Sequence, residues 1–174
     1  DKELRTIGRI HSAQEALEAI DMARAAGFAR ISCDLIYGLP EQTLASLEDT
    51  LWQLLATGIE HVSVYGLIME EGTPLEHLVN SGRIVLPDED TAADMYEQVQ
   101  GLLAKAGFER YEISNYAKNG QYSRHNTVYW QYHPYLAFGA GACGMEKAMR
   151  RTAASTVPAY MAAAQALTPT NWRT

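Results

Sequence analysis

The sequence predicts an α/β fold, because segments with helical and strand periodicity alternate through residues 1–70. Two strand-like segments, residues 31–37 and 61–68, are rich in β-branched and aromatic residues, and each follows a helical stripe. The connections between them are short, which favours right-handed βαβ units and a parallel sheet. A length of 174 residues allows one domain or two small ones.

The helices in this region have recognisable ends. Ser12 and Glu15 form a capping-box pattern, so the first amphipathic helix is expected to begin there. It ends at Gly27, because glycine readily adopts the left-handed conformation that follows a helix. A leucine stripe over residues 44–55 predicts the next helix, and Gly58 ends it.

After residue 68 the alternation of helix and strand stops, and the sequence predicts a mixed α+β region. The expected elements are a turn at 70–74, a short helix to about Ser81, a long helix from Pro87 to Gly107, a strand at 111–114, a loop over 115–135 and an alanine-rich helix from about Pro158. We therefore predict two domains, residues 1–70 and 71–174.

Charge and composition limit the class of partner. With 14 basic and 21 acidic residues the net charge is −7, which has the wrong sign for a nucleic-acid-binding protein. The uncharged segment 153–172 contains two prolines, so no membrane span is expected. Cys33 and Cys143 are too few for a disulfide framework and too far apart for a metal site, which favours the cytoplasm. Because the chain begins at Asp1, without methionine, we expect a fragment of a longer protein.

Asp34 is the first candidate ligand-binding residue, because a carboxylate in an otherwise apolar strand is costly to bury without a partner. It lies near the carboxyl end of its strand, which is the end where parallel sheets bind ligands. An acid that anchors a neighbouring loop explains it equally well. Arg9 precedes the first helix, either at this face or at the opposite one, and the sequence alone favours a solvated surface arginine.

His125 lies in a segment, residues 111–135, that holds six of the ten tyrosines. A neutral imidazole can ligate haem iron, and aromatic rings can line a flat apolar ligand. A hydrogen-bonding loop histidine is the competing interpretation. His61 and His77 have no acidic or cysteine neighbours at metal spacing, and we expect both to be structural.

Two other motifs carry little weight. Residues 139–144 have the glycine spacing of a dinucleotide-binding loop, but no helical pattern follows, so we expect a tight turn. No Gly-x-Ser-x-Gly segment is present to suggest a serine nucleophile.

The segment DLIYGLPEQT, residues 34–43, resembles radical S-adenosyl-L-methionine proteins of the oxygen-independent coproporphyrinogen III oxidase group. Further motifs resemble the same group along nearly the whole chain: residues 8–12, 71–74, 94–96, 111–117, 123–126 and 135–144. YEISNYA at 111–117, followed by HNTVYW at 125–130, resembles the haem-chaperone branch of this group rather than the true oxidases.

The resemblance implies the C-terminal part of a partial (β/α) barrel that binds S-adenosylmethionine at its carboxyl end. Arg9, Asp34 and Ile68 would be positions that bind this cofactor, and His125 would bind haem. Cys143 stands where the chaperone branch commonly has histidine, so no role is assigned to it. The family also holds a [4Fe-4S] cluster on a Cys-x-x-x-Cys-x-x-Cys motif that this sequence lacks, so the chain alone is expected to be inactive.

The sequence thus predicts part of a haem chaperone that binds haem and S-adenosylmethionine and delivers haem to an acceptor protein. A true coproporphyrinogen III oxidase, which would convert coproporphyrinogen III to protoporphyrinogen IX, is the alternative. A third possibility is a fragment that folds without any activity of its own.

Overall fold

A computed structural model describes residues 1–165 of the chain. Its elements are α1 (Lys2–Thr6), α2 (Ala13–Ala25), β1 (Ser32–Tyr37), α3 (Leu44–Ala56), β2 (His61–Gly66), α4 (Pro74–Asn80), α5 (Glu89–Lys105), β3 (Glu109–Arg110), β4 (Asn115–Ala117), α6 (Arg124–Trp130), β5 (Cys143–Glu146), β6 (Met149–Thr152) and α7 (Val157–Gln165). They fall into two compact units, Asp1–Tyr122 and Ser123–Thr174. The ends of the predicted second domain and of the uncharged segment lie outside the described residues.

The first unit is built on a four-stranded sheet with the order β1-β2-β4-β3. Strands β1 and β2 pair in parallel, with Ser32 opposite His61 and Tyr37 opposite Gly66, which confirms the predicted parallel pair. Strand β4 runs antiparallel to β2, and β3 runs antiparallel to β4. Strand β1 therefore stands at one edge of this sheet.

One face of the sheet is covered by helices. Leu35, Val62 and Val64 point from β1 and β2 into this core. The other core side chains come mainly from the helices and their connections: Ile20, Leu47, Leu51, Ile59, Met95, Val99, Leu102, Leu103, Phe108 and Tyr116. Because successive residues of a strand face opposite sides, Asp34 and Ser63 project from the helix-free face.

The predicted capping box is confirmed. The Ser12 backbone N–H donates to Glu15 Oε2 at 2.7 Å, and Ser12 Oγ accepts from the Glu15 backbone N–H at 3.2 Å. Gly27 and Gly58 follow α2 and α3 with φ of +91° and +71°, the left-handed conformation that ends a helix at little cost for glycine.

The strand predicted over residues 111–114 is wrong. These residues form the turn between β3 and β4, in which the Tyr111 N–H donates to the Asn115 carbonyl and the Ser114 N–H donates to Glu112 Oε1. The apolar Ile113 that suggested a strand is exposed at the turn. The loop predicted over residues 115–135 is also wrong, because this segment contains β4 and α6.

The second unit contains α6, the β5-β6 hairpin and α7. Lys147 and Ala148 connect the hairpin strands, both with positive φ, as two-residue hairpin turns require. Residues 139–144 lead into β5 rather than into a helix, so they lack the arrangement of a dinucleotide-binding loop. The domain boundary expected after residue 70 stays a prediction. Strands β3 and β4 lie beyond residue 70 and join the sheet of the first unit.

Within residues 1–165, no helix is both long and apolar enough to cross a membrane.

Candidate functional site

Arg9 lies at the end of the sheet where the parallel strands finish. Ser46 Oγ, on the first turn of α3, donates to Glu3 Oε1 of α1 at 2.6 Å, so α1 lies against the segment that follows β1. The Arg9 N–H donates to the Leu4 carbonyl at 2.8 Å, which keeps Arg9 close to α1. The backbone of Arg9 therefore lies near the end of α1, which contacts the segment after β1, and its side chain is exposed.

Ile68 lies at the same end of the sheet. It is two residues beyond β2, and its side chain is 81% exposed. The preceding Leu67 N–H donates to the Tyr37 carbonyl at 2.9 Å, so the two parallel strands finish together. An exposed isoleucine here offers its backbone and an apolar side chain to a ligand above the strand ends.

Asp34 is exposed, so the expectation of a buried carboxylate is wrong. The physical reason is its position: β1 is an edge strand of this sheet, and Asp34 projects from the face opposite the helical core. Within residues 1–165 its carboxylate makes no hydrogen bond or ion pair. Asp34 therefore offers an unpaired acceptor to a ligand on this face.

Asp34, Ser63 and Asn115 form a polar row across three strands. The register places Asp34 opposite Ser63 and Ser63 opposite Asn115, so their side chains share the helix-free face. Ser63 and Asn115 are each 4% exposed, and Asn115 Oδ1 has no hydrogen-bond partner in the described part of the chain. A buried acceptor without a donor is costly, which makes this row receptive to a donor from a ligand or water.

His61 is held beside this row by both ring nitrogens. Ser32 Oγ lies 2.6 Å from its Nδ1, and the Tyr111 hydroxyl lies 2.7 Å from its Nε2. Burial lowers the pKa of His61, although the nearby Asp34 carboxylate acts in the opposite direction. Tyr111 also stacks on Tyr122 with ring centroids 4.4 Å apart, which steadies the hydroxyl.

Sequence reasoning missed the polar character of this face. Ser63 and Asn115 were not singled out, whereas the structural role expected for His61 agrees with its hydrogen bonds to Ser32 and Tyr111. The signal was present in β2, where His61, Ser63 and Tyr65 alternate with apolar residues, as in a strand with one apolar and one polar face. The contribution of Asn115 depends on pairing between distant segments, so no local pattern could reveal it.

The residues of the first unit suit one of the two cofactors that the resemblance implies. S-adenosylmethionine carries a polar nucleoside, for which the free Asp34 carboxylate and the orphaned Asn115 Oδ1 provide acceptors. A [4Fe-4S] cluster needs several cysteine thiolates, whereas this chain has two cysteines, Cys33 and Cys143, in different units. This chain therefore cannot hold the cluster by itself.

In the second unit, His125 lies on the first turn of α6 rather than in a loop. Ser123 caps this helix, and its Oγ accepts from the Asn126 N–H at 3.3 Å. His125 is exposed, and its Nε2 lies 2.9 Å from the Tyr129 hydroxyl. Tyr129 meets the imidazole edge-on at 4.8 Å between ring centroids, and Tyr135 meets Tyr129 in the same manner at 4.6 Å.

Tyr135 connects this aromatic group to the hairpin. Its backbone N–H and carbonyl exchange hydrogen bonds of 3.0 and 2.9 Å with Met145 on β5. Beside Met145 on the same strand, Cys143 Sγ lies 3.2 Å from Thr152 Oγ1. This contact, together with the nearby Arg150, lowers the pKa of the Cys143 thiol.

Both units of the chain are similar in sequence to the same group of known proteins. The chain is 44% identical over 144 residues to the heme chaperone HemW of Bacillus subtilis, covering 83% of this chain and 38% of that protein. It is 41% identical over 172 residues to radical S-adenosyl methionine domain-containing protein 1, mitochondrial, of Mus musculus, covering 99% and 38% respectively. The chain thus spans 38% of the length of these two relatives.

A search against models of protein families finds no match. Among solved structures, coproporphyrinogen III oxidase (HemN) from Escherichia coli, described as a radical SAM enzyme, matches with a TM-score of 0.74 over 94% of this chain and 41% of that one. At 18% identity this likeness shows the fold alone. The relatives, which are 37–44% identical, show that the chain belongs to the haem-chaperone branch of the radical S-adenosylmethionine proteins.

Proposed function

We propose that the protein containing this chain is a haem chaperone, which binds haem through His125 and delivers it to an acceptor protein. One observation carries the proposal: the exposed imidazole of His125 stands on a capped helix and meets the Tyr129 ring edge-on, and Tyr129 in turn meets Tyr135 edge-on. Imidazole is a common haem ligand, and aromatic rings suit a flat apolar macrocycle. The names of the Bacillus subtilis and Lactococcus lactis relatives, both called heme chaperones, support it.

The hydrogen bond between His125 and Tyr129 determines which ring nitrogen of His125 is free to bind haem iron. Because His125 Nε2 faces the Tyr129 hydroxyl, iron either approaches Nδ1 or displaces the hydroxyl from Nε2. A neutral ring has one nitrogen free to donate electrons to the metal, and the other then carries the proton. If iron takes Nδ1, the proton lies on Nε2 and the Tyr129 hydroxyl accepts its hydrogen bond; if iron takes Nε2, this hydrogen bond is given up.

We expect His125→Ala in the full-length protein to weaken haem binding and to alter the Soret band, because an axial ligand is removed. His133→Ala is the matched control: His133 is also an exposed histidine of the second unit, and its Nε2 contacts Gln131 Oε1 at 3.0 Å. Titration with ferric haem gives the affinity and spectrum of each variant. An unchanged spectrum and affinity for His125→Ala would remove the ligand assignment.

We further propose that Arg9, Asp34 and Ile68 contact S-adenosylmethionine, and that the full-length protein holds a [4Fe-4S] cluster on residues outside this chain. In that arrangement Asp34 accepts hydrogen bonds from the nucleoside part of the cofactor. Asp34→Asn should weaken cofactor binding by about 1.5–3 kcal/mol, as expected for a lost charged hydrogen bond. Calorimetry measures it, with Asp21→Asn, an exposed aspartate on α2, as the control; equal affinity in both variants would count against this role.

A true coproporphyrinogen III oxidase remains the second candidate, favoured by the fold shared with that Escherichia coli enzyme. Supplying coproporphyrinogen III to the reconstituted full-length protein separates the two candidates. The chaperone proposal expects no protoporphyrinogen IX, and its formation would establish the oxidase instead.

We also propose a cytoplasmic location, which the two free cysteines support because reducing compartments keep thiols unpaired.

A further inference from the structure

We infer that the haem site extends from His125 onto the β5-β6 hairpin, where Arg150 binds a haem propionate. This inference rests on the proposed haem-binding function and adds a second point of attachment, specific for a carboxylate. Three observations carry it: a continuous set of contacts from His125 to the hairpin, a register that places Arg150 on the same face, and the charge of the second unit.

The contacts begin at His125 and cross two tyrosine rings. His125 packs against Tyr129, and Tyr129 packs against Tyr135, each pair edge-on with ring centroids less than 5 Å apart (4.8 and 4.6 Å). The paired backbone hydrogen bonds between Tyr135 and Met145 then fix this aromatic group to β5. The imidazole and the hairpin are therefore joined within one compact unit.

The register decides which side chains of the hairpin face this aromatic group. Met145 lies opposite Tyr135 on one side and opposite Arg150 on the other. Directly paired residues project from the same face of a sheet, so Tyr135, Met145 and Arg150 form one row about 10 Å wide. The neighbouring Arg151 projects from the opposite face, where its guanidinium lies 3.5 Å from Glu146 Oε2.

The charge of this unit is opposite to that of the rest of the chain. Residues 123–165 hold four basic residues and one acidic residue, whereas residues 1–122 hold nine basic and twenty acidic residues. Arg150 is exposed, and no carboxylate within residues 1–165 pairs with it. Haem presents two carboxylates on one edge of an apolar plane, and a guanidinium binds a carboxylate in a bidentate manner. A row of tyrosine, methionine and arginine offers surfaces for both parts of that ligand.

Two probes and two matched variants of the full-length protein test the inference. The probes are ferric haem and its dimethyl ester, which lacks the carboxylate charges. We expect the wild-type protein to bind haem about tenfold more tightly than the ester, as one charged hydrogen-bonded contact gives. Arg150→Gln should bring the ratio close to one, whereas Arg151→Gln, which removes the same charge from the opposite face, should keep it.

The outcomes separate this inference from the proposed function. If Arg150→Gln and Arg151→Gln reduce the ratio equally, or if neither reduces it, a propionate site at Arg150 is ruled out while haem binding through His125 stands. If the wild-type protein binds neither probe, the proposed function itself fails. Far-ultraviolet circular dichroism checks that both variants fold, and His125→Ala should alter the Soret band yet still prefer the free carboxylates.

Discussion

At the scale of single residues, hydrogen-bond partners and burial set the protonation state of His61. Its two ring nitrogens are occupied by Ser32 and Tyr111, and burial favours the uncharged ring. A neutral ring donates from one nitrogen and accepts at the other, so the serine and tyrosine hydroxyls must take complementary roles. Protonation would make both ring nitrogens donors, so the hydroxyl that donates to the neutral ring would lose its acceptor.

This arrangement predicts a pH-dependent stability. Because the pKa of His61 is lowered in the folded chain, the unfolded chain takes up the proton first, and the free energy of unfolding falls as pH drops below about 6.5. Urea denaturation at pH 7.5 and 5.5 measures the loss. His61→Gln, which cannot titrate, should show a smaller difference between the two pH values; an equal difference would assign the effect to other groups.

Residue-scale errors in prediction have a common cause. Asp34 was expected to be buried because its strand is apolar, yet burial depends on which strands flank β1 and which face the residue occupies. The end of the sheet at which Arg9 lies could not be decided for the same reason, and the contact between Ser46 and Glu3 now places the neighbouring α1 beside the segment after β1. Asp34, Arg9 and His125 could be selected from chemistry and resemblance, but the exposure of Asp34 and the contact of His125 with Tyr129 could not.

At the scale of elements, prediction succeeded where the signals are local. Both ends of α2 and the C-terminal end of α3 were predictable, because the Ser12 cap and the glycines Gly27 and Gly58 act within a few residues of each terminus. The β3-β4 hairpin was missed because its strands contain two and three residues, too few for a periodic pattern. Its pairing with β2 instead comes from a contact between segments about fifty positions apart in the chain.

Helix α3 offers a direct test of how the first unit is held together. Leu51 is fully buried between helix and sheet, whereas Leu44, on the first turn, is 38% exposed. Leu51→Ala should lower the free energy of unfolding by about 2–5 kcal/mol, through lost burial and the cavity left behind. Leu44→Ala, the same chemical change, should cost well under half as much. Urea denaturation compares them, and similar losses would contradict the packing described.

At the scale of the whole molecule, the two units differ in architecture and in charge. The first is an acidic α/β unit whose helix-free face is polar, and the second is a basic unit with exposed aromatic side chains. Such a division suits two ligands of different chemistry, a polar nucleoside cofactor and an apolar macrocycle with carboxylates. The sequence predicted both ligands from the family resemblance, whereas the division at Ser123 required the structure.

The edge position of β1 predicts how the 174-residue chain behaves when expressed by itself. An unpaired strand edge exposes backbone donors and acceptors, so the chain should associate at increasing concentration. Ile36→Lys places a charge on β1 and should reduce this association, whereas Ile113→Lys in the β3-β4 turn should not. Sedimentation velocity over a concentration series measures both; association unaffected by Ile36→Lys would show that another surface is responsible.

The hydroxyl of Tyr129 bears on how haem iron would be released from His125 in the proposed site. If iron binds His125 at Nε2 in the proposed site, its departure lets this nitrogen regain the hydrogen bond with Tyr129 one helix turn away, so no polar atom is left unpaired. The imidazole therefore exchanges one partner for another of comparable kind in both directions. Reversible hand-over, rather than permanent storage, is the behaviour that such a paired side chain favours.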